Sequence, residues 1–379
     1  MVCGITATGQ RPGWRCNREA VGYNSRVTSG FATPQGTDLF TARFSAGCAS
    51  GFYRTFDGLK ASSIGLGTYL GNPDEPTDKA YRGAISAAVR GGLNFLDTAI
   101  NYRNTRSEQS IGAALSDLFR SGDCQRDELV VATKAGFLTP GAVPSFLKPD
   151  DVVGGMHSME PRFIADQIDR SRSNLGLETI DIFYLHNPET QLNFVIRDEF
   201  DGRIRLAFEA LERMVAEGKI RYYGTATWEG YRRPGGAKDT LDLVRLIEIA
   251  QEQGGPQHHF RWIQLPLNLA MVEAFANRVY EGDGDLSVLD VAARSHMAVV
   301  ASASLLQSKL SRNLPEGLAS KFGGLETDAQ RAIQFARSTP GITVALVGMS
   351  KPAHVSENLA LAKVRPLTEQ QYAGLYQTA

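Results

Sequence analysis

Cysteine and histidine are scarce in this chain, four and six among 379 residues, and apart from the adjacent His258 and His259 neither type is grouped. Cys3, Cys16, Cys48 and Cys124 show no CxxC spacing and make no zinc-ligand pattern with the histidines, which argues against a disulfide-stapled fold and a structural metal. A reducing compartment is the natural reading, and no metal is expected. Cys124, in the polar run SGDCQRDE, is read as a bystander, because a reactive thiol needs a basic, partly exposed setting. Long apolar runs are missing as well: none approaches the ~18 to 20 residues that span a bilayer. Nor is there an excess of either charge, since 40 basic residues face 41 acidic ones and the formal net charge is -1. That balance leaves no electrostatic footprint for nucleic acid or an anionic membrane. A neutral or small anionic small-molecule ligand is expected instead, and nothing indicates an oligomeric state.

What is present is a regular alternation of strand-like and helix-like segments from about residue 62 onward. Eight pairs can be counted, with strands at SSIGLGTY (62–69), LNFLDTA (93–99), ELVVATK (128–134), IDIFYLHN (180–187), KIRYYGTAT, FRWIQLPLN, AVVASAS and ITVALVGM. Between them lie helical patterns such as TDKAYRGAISAAVRGG, where Tyr81, Ile85, Ala88 and Val89 share a face and Gly91 and Gly92 form the stop. Further helices are expected at residues 111–119, at Pro161–Leu175, at 204–217 closed by Gly218, and from His354 onward. Strands separated by helices of this length imply right-handed βαβ crossovers and a parallel sheet. Eight such units close most simply into an α/β (β/α)8 barrel, a TIM barrel. A doubly wound open sheet is the alternative, and the absence of GxGxxG after the first strand weighs against it.

Two loops are long, residues 136–158 after the third strand and 188–203 after the fourth, and a substrate-covering role is expected of them. Residues 1–33 are rich in Gly, Ser and Thr, carry Arg11, Arg15, Arg18 and Arg26, and have Glu19 as their one acid. They read as an N-terminal extension, disordered or targeting, ahead of a barrel over 34–379. A soluble, cytoplasmic protein is expected, with organelle targeting by that extension as the alternative.

Asp97, Lys134 and His186 each end an apolar run that reads as a buried strand, and Tyr102 lies just beyond the first. In a parallel barrel the C-terminal strand ends share one face, where the chemistry of such barrels is placed. Carbonyl reduction needs a hydride donor, a proton donor for the developing alkoxide and a group that polarises the carbonyl. Tyr102 can donate the proton if Lys134 lowers its phenol pKa from ~10. Asp97 would pair with Lys134, and His186 would orient the substrate oxygen. Taken singly, each has a plainer reading: a packing tyrosine, a rim lysine, a satisfied core imidazole. Their joint placement at successive strand ends favours the site.

These segments resemble the aldo-keto reductase family. LDTAINYRNTRSEQSIGAAL is similar to that family's DTAxxYG...SExxIGxAL segment, VVATKAGF to its strand-three lysine, IDIFYLHNPE to its strand-four histidine, and KIRYYGTATW to its GKIRxxGxSxW run. IQLPLNL is similar to VQxxYNL, and VGMSKPAHVSENL to the closing phosphate-binding segment. The resemblance covers about residues 62–362. It implies an NAD(P)H-dependent barrel reductase with Asp97, Tyr102, Lys134 and His186 as its tetrad. It also implies that Thr227 and Gln264 meet the nicotinamide carboxamide and that Leu305 and Ser308 meet the pyrophosphate. Gly348, Ser350, His354, Glu357 and Asn358 would meet the adenosine phosphate end, where a helix N-terminus suits an anion.

The chain departs from the family pattern at several places. Ala226 and Thr227 replace the usual Ser-Asn, Ser302 stands where an aromatic often stacks on the nicotinamide, and Ser304 replaces a proline. His354 stands where many members have an arginine for the 2'-phosphate, so NADPH is expected over NADH mainly on Ser350 and Lys351. Arg103 follows Tyr102 in place of glycine. Arg103 or Arg106 would either reach an acidic substrate or form a surface salt bridge, and the salt bridge is favoured. Tyr69, Phe137 and Trp228, each just past a strand end, are expected to form an apolar-aromatic substrate wall. The resulting expectation is an NADPH-dependent oxidoreductase that reduces an aldehyde or ketone to an alcohol. The alternative is an NADP(H)-binding, redox-sensing regulatory subunit with weak turnover.

Overall fold

The protein was studied as a computed structural model, which describes residues 27–281 and 285–376. Eight strands form a closed barrel: β3 (Ile64–Gly67), β4 (Phe95–Asp97), β5 (Val130–Ala135), β6 (Ile180–His186), β7 (Ile220–Ala226), β8 (Phe260–Pro266), β9 (Ala298–Ser302) and β10 (Val344–Gly348). Each neighbouring pair is parallel, and β10 closes the ring on β3. Seven of the eight strands fall within the segments expected from hydrophobic pattern, and β5 runs one residue past its segment, to Ala135. Period-two alternation divides each strand between two apolar layers. In β6, Ile182 and Tyr184 join the barrel interior with Phe95, Ala132, Trp262 and Leu346, whereas Phe183 and Leu185 pack against the surrounding helices. Each large aliphatic or aromatic side chain so buried contributes roughly 1.5–3 kcal/mol.

Helices α2 (Glu75–Arg90), α3 (Arg106–Ser121), α4 (Pro161–Leu175), α5 (Arg197–Ala216), α6 (Leu243–Gly254), α8 (Val288–Arg294), α10 (Asp328–Ser338) and α11 (Pro352–Leu359) surround the barrel. The short α7 (Glu273–Ala276) and α9 (Glu316–Ala319) lie in connections, and α12 (Glu369–Gly374) follows last. The loop expected over 188–203 is shorter than the sequence suggested. Residues 188–193 form a 3-10 turn, and α5 already begins at Arg197. Its first turn has no side-chain cap to announce it, but Phe200 and Ile204 are buried one turn apart and anchor it to the core.

One β7–β8 contact explains Gly224: a Cβ there would lie 2.0 Å from the Trp262 carbonyl oxygen. The register shifts at that point, between Tyr223 and Gly224.

Two elements precede the barrel. Helix α1 (Pro34–Phe44) starts on Thr33, whose hydroxyl accepts from Gly36 N at 2.9 Å. A hairpin of β1 (Tyr53–Phe56) and β2 (Leu59–Ser62) turns at Asp57 and Gly58, both with positive φ. Leu59 and Ala61 join the inner apolar cluster, and Phe56 meets Trp262 edge-on at 5.1 Å, so the hairpin plugs the N-terminal end of the barrel. Of the extension expected over 1–33, residues 1–26 lie outside the described residues. Just after them, Thr28 exchanges backbone hydrogen bonds with Gly176 and Glu178.

Candidate active site

Register brings the chemistry together. Asp97 lies beside Ala132, Lys134 beside Tyr184, His186 beside Ala226, and Ala226 beside Gln264. The C-terminal ends therefore open on one cavity of about 420 Å³, lined by Asp97, Tyr102, His186 and Gln264 among others. At its floor the fully buried Lys134 Nζ donates to Asp97 Oδ1 at 2.6 Å, to the Thr98 carbonyl at 2.7 Å and to the Tyr102 hydroxyl at 3.5 Å. Gln264 Nε2 donates to the other carboxylate oxygen of Asp97 at 2.8 Å. Burial pushes the Asp97 carboxyl up against the pull of Lys134. Burial would lower the Lys134 ammonium, but Asp97 and Tyr102 raise it above its usual value, so Lys134 stays charged.

One expectation is corrected here. Lys134 does pull the Tyr102 phenol downward, yet burial outweighs it and the net direction is up. Tyr102 is thus held as the neutral acid. Its ring is edge-on to His186 at 5.7 Å and to Tyr69 at 5.0 Å, while part of it faces the open cavity. The His186 imidazole is held neutral, driven well below its usual value by burial, then by Lys134 and His157. Its Nδ1 has no partner.

Two residues that the sequence reading passed over support His186. His157 Nε2 hydrogen-bonds the His186 carbonyl oxygen at 2.8 Å, and Gln191 Nε2 meets His157 Nδ1 at 2.9 Å. The amide can only donate to Nδ1, so the proton of His157 sits on Nε2 and is donated to that carbonyl. Arg203 fixes the amide by donating to Gln191 Oε1 at 2.5 Å. His157 ends the 136–158 segment, which bridges back on itself at Phe137 and Val153. Gly136 makes the approach feasible, because a Cβ there would be 2.6 Å from both His157 Nε2 and the His186 carbonyl oxygen. Partners separated by 29 and 34 residues leave no local signal in the sequence.

Tyr69, Phe137 and Trp228 all line the cavity. Phe137 packs edge-on against His186 at 5.2 Å, whereas Tyr69 and Trp228 stand at the rim, 54% and 36% exposed. The Trp228 loop is held by Glu189, another residue not singled out beforehand, whose Oε1 accepts from the backbone N–H of Trp228, Glu229 and Gly230. Arg103 and Arg106 do not line the cavity. Both pair with Asp78, and the Arg103 side chain is 1% exposed, so the salt bridge is buried on that side and neither arginine serves an acidic ligand.

Of the residues assigned to a cofactor by resemblance, Thr227, Gln264, Leu305, Ser308 and Gly348 line the cavity. Ser350, His354, Glu357 and Asn358 do not; the last three sit on α11. His354 is exposed, Asn358 is buried with its Oδ1 unpartnered, and Glu357 Oε1 accepts from Thr327 Oγ1 at 2.7 Å. The Thr227 and Ser304 hydroxyls, buried on the cavity wall, also lack partners. Leu306, Gln307 and Ser308 all have positive φ, a tight turn of backbone at the cavity edge. Among the described residues no group of three or more His, Cys, Asp or Glu side chains is arranged to hold a metal ion. Burial pushes the Cys124 thiol up to about 12, which leaves it inert.

A family model described as "Aldo/keto reductase family" matches residues 63–233, spanning five of the eight barrel strands, β3 to β7. Over that stretch the chain is similar to the aldo/keto reductase family. Among its relatives, a D-threo-aldose 1-dehydrogenase from a Pseudomonas species is 29% identical over 75% of this chain and 83% of its own length. A probable voltage-gated potassium channel subunit beta from Arabidopsis thaliana is 24% identical over 82% of this chain and 90% of its own. An aldo/keto reductase from Klebsiella pneumoniae, solved with NADP and acetate, shares the fold with a TM-score of 0.59 at 21% identity, covering 86% of this chain and 94% of that one.

Proposed function

We propose that this chain is an aldo/keto reductase, an NADPH-dependent oxidoreductase that reduces an uncharged aldehyde or ketone to the alcohol. The observation that carries the reading is the chain Asp97–Lys134–Tyr102 at the floor of a cavity whose other wall is His186. Unpartnered hydroxyls of Thr227 and Ser304, and the unpartnered Asn358 Oδ1, fit a long polar cofactor. Thr227 and the Gln264 side-chain Oε1 would hold its carboxamide, since Gln264 Nε2 is committed to Asp97. Leu305 and Ser308 would hold the pyrophosphate, and Gly348, Ser350, His354, Asn358 and the α11 end the adenosine phosphate, with Glu357 steadied by Thr327. Such a group, when bound, supplies the hydride.

The side chains do the rest. Neutral Tyr102 donates its O–H proton to the alkoxide oxygen as it forms. Lys134 stabilises the resulting phenolate, and Asp97 keeps Lys134 charged and in place. His186, neutral, hydrogen-bonds the carbonyl oxygen and aims the carbon, while Phe137, Tyr69 and Trp228 exclude water. Among the described residues no arginine lines the cavity, which disfavours a charged substrate. The test is NADPH consumption with matched aldehydes, benzaldehyde against 4-carboxybenzaldehyde, repeated with NADH. Preference for the neutral aldehyde and for NADPH supports the reading; preference for the carboxylate overturns its substrate class.

A second reading rests on the likeness to probable potassium channel beta subunits. In that case NADPH would bind without turnover on any aldehyde, and binding would alter association with a partner protein recovered from cells.

A further inference from the structure

The barrel has a second cavity at its opposite end. It measures about 440 Å³ and is lined by Phe31, Asp57, Arg221, Tyr222, His258 and Arg261 among others. Arg221 and Arg261 are the second residues of β7 and β8, whose far ends carry Ala226 and Gln264 at the active site. A strand rise of ~3.3 Å per residue places Arg221 roughly 16 Å from Ala226 and Arg261 roughly 10 Å from Gln264 along their strands. The hairpin turn at Asp57 and the segment holding Phe31 form the outer wall.

Its charges are unusual for a surface cleft. Among the described residues neither Arg221 nor Arg261 has a carboxylate partner within salt-bridge distance. Arg221 instead lies over the Phe31 ring, 3.9 Å from its centroid. The one acid of the lining, Asp57, is taken by the Tyr222 hydroxyl at 2.5 Å. His259, also in the lining, is committed to Glu212 at 2.7 Å. His258 is 4% exposed, and its Nδ1 has no partner. Burial, and then Arg261, hold the His258 imidazole at about 4, so it is neutral and able to present an N–H. Two guanidinium groups against one carboxylate leave a surplus of one positive charge, with Val215 and Ile220 as apolar wall. The unpartnered Nδ1 of His258 is a buried polar atom whose hydrogen bond a ligand or water would restore.

We infer that this cavity is a binding site for a small monocarboxylate, its carboxylate held by Arg221, Arg261 and His258 and its apolar body against Phe31, Val215 and Ile220. Arginine suits this role because its planar fork matches a carboxylate. The single surplus charge selects a monoanion over a phosphate dianion. The site is independent of the reaction proposed above and would persist if that reaction were misassigned.

The test is calorimetric titration of the full chain with benzoate up to about 10 mM, beside benzyl alcohol as the neutral match. The expected result is benzoate binding without benzyl alcohol binding. Arg221→Gln and Arg261→Gln should each weaken it about tenfold or more, the loss expected for one charged hydrogen bond. Arg261→Lys, which keeps the charge but not the planar fork, should recover only part of it, and far-UV circular dichroism of each variant should match the parent. Because benzoate could also enter the active-site cavity, Tyr102→Phe is titrated in parallel and should bind unchanged. The inference is overturned if benzoate fails to bind, if benzyl alcohol binds equally, if the arginine variants bind as the parent does, or if Tyr102→Phe abolishes the heat.

Discussion

Replacing Lys134 by methionine preserves its length and removes its charge, and the structure allows the consequence to be worked through. Asp97, 3% exposed, would be left with Gln264 as its remaining side-chain donor. Breaking a buried pair from one side costs about 3–5 kcal/mol, because the surviving charge is uncompensated. The phenolate of Tyr102 would lose a cation 3.5 Å away, an interaction of ~4.7 kcal/mol at an effective dielectric of ~20. Turnover should fall about a hundredfold or more. Urea unfolding followed by circular dichroism reads the stability, and NADPH consumption reads the turnover. Adding Asp97→Asn removes the orphaned charge, so the double variant should regain at least half the lost stability while staying inactive. The pH dependence has a definite sign. Burial already raises Asp97 above its ordinary 3.8, and without Lys134 it rises further. The folded variant then holds a proton more tightly than the unfolded chain, so the deficit is smallest below 3.8 and grows as pH rises through the folded value. The reasoning fails if Lys134→Met stays within about 0.5 kcal/mol of the parent, the usual scatter of surface changes. It also fails if the double variant is less stable than the single one.

Other expectations follow from the support of His186. Burial holds His157 at about 4, below its ordinary 6.5. Its contribution is therefore complete above pH 6.5 and lost as pH falls toward about 4, about 3 kcal/mol in all. His157→Gln should flatten that acid limb in urea titrations across pH, and an unchanged slope would contradict the assignment. Gly136→Ala would press a Cβ against His157 and the His186 carbonyl. It should cost about 1–3 kcal/mol by thermal unfolding and raise KM through the displaced Phe137; a silent substitution would mean that the contact is not maintained.

The barrel was legible because parallel strands buried on both faces read as short continuous apolar runs, and the four site residues stand at or just past the ends of three of them. The hairpin before the barrel was missed although Asp57–Gly58 is a strong turn signal, because each of its strands is only four residues long and the alternation in the first breaks at Thr55–Phe56. Arg54 is a structural residue: it donates to the Ile342 and Arg337 carbonyls at 2.5 and 2.6 Å. The start of α5 was missed because Arg197 to Gly202 is polar and uncapped, its anchors Phe200 and Ile204 being only two. His157, Gln191 and Glu189 were invisible for another reason. Their function is to hold backbone from a distant loop, which leaves no periodicity or motif. The Tyr102 shift had the wrong sign because spacing reveals a neighbouring cation but not the burial that outweighs it.

The central claim is that Tyr102 is the proton donor of a working reductase, and its most direct test compares parent and Tyr102→Phe. NADPH affinity would be measured by fluorescence titration and turnover by NADPH consumption with one neutral aldehyde. The account predicts equal NADPH affinity and a fall in turnover of about a hundredfold or more in the variant. Equal turnover in the two proteins, or NADPH binding by the parent with no aldehyde reduced, would contradict it.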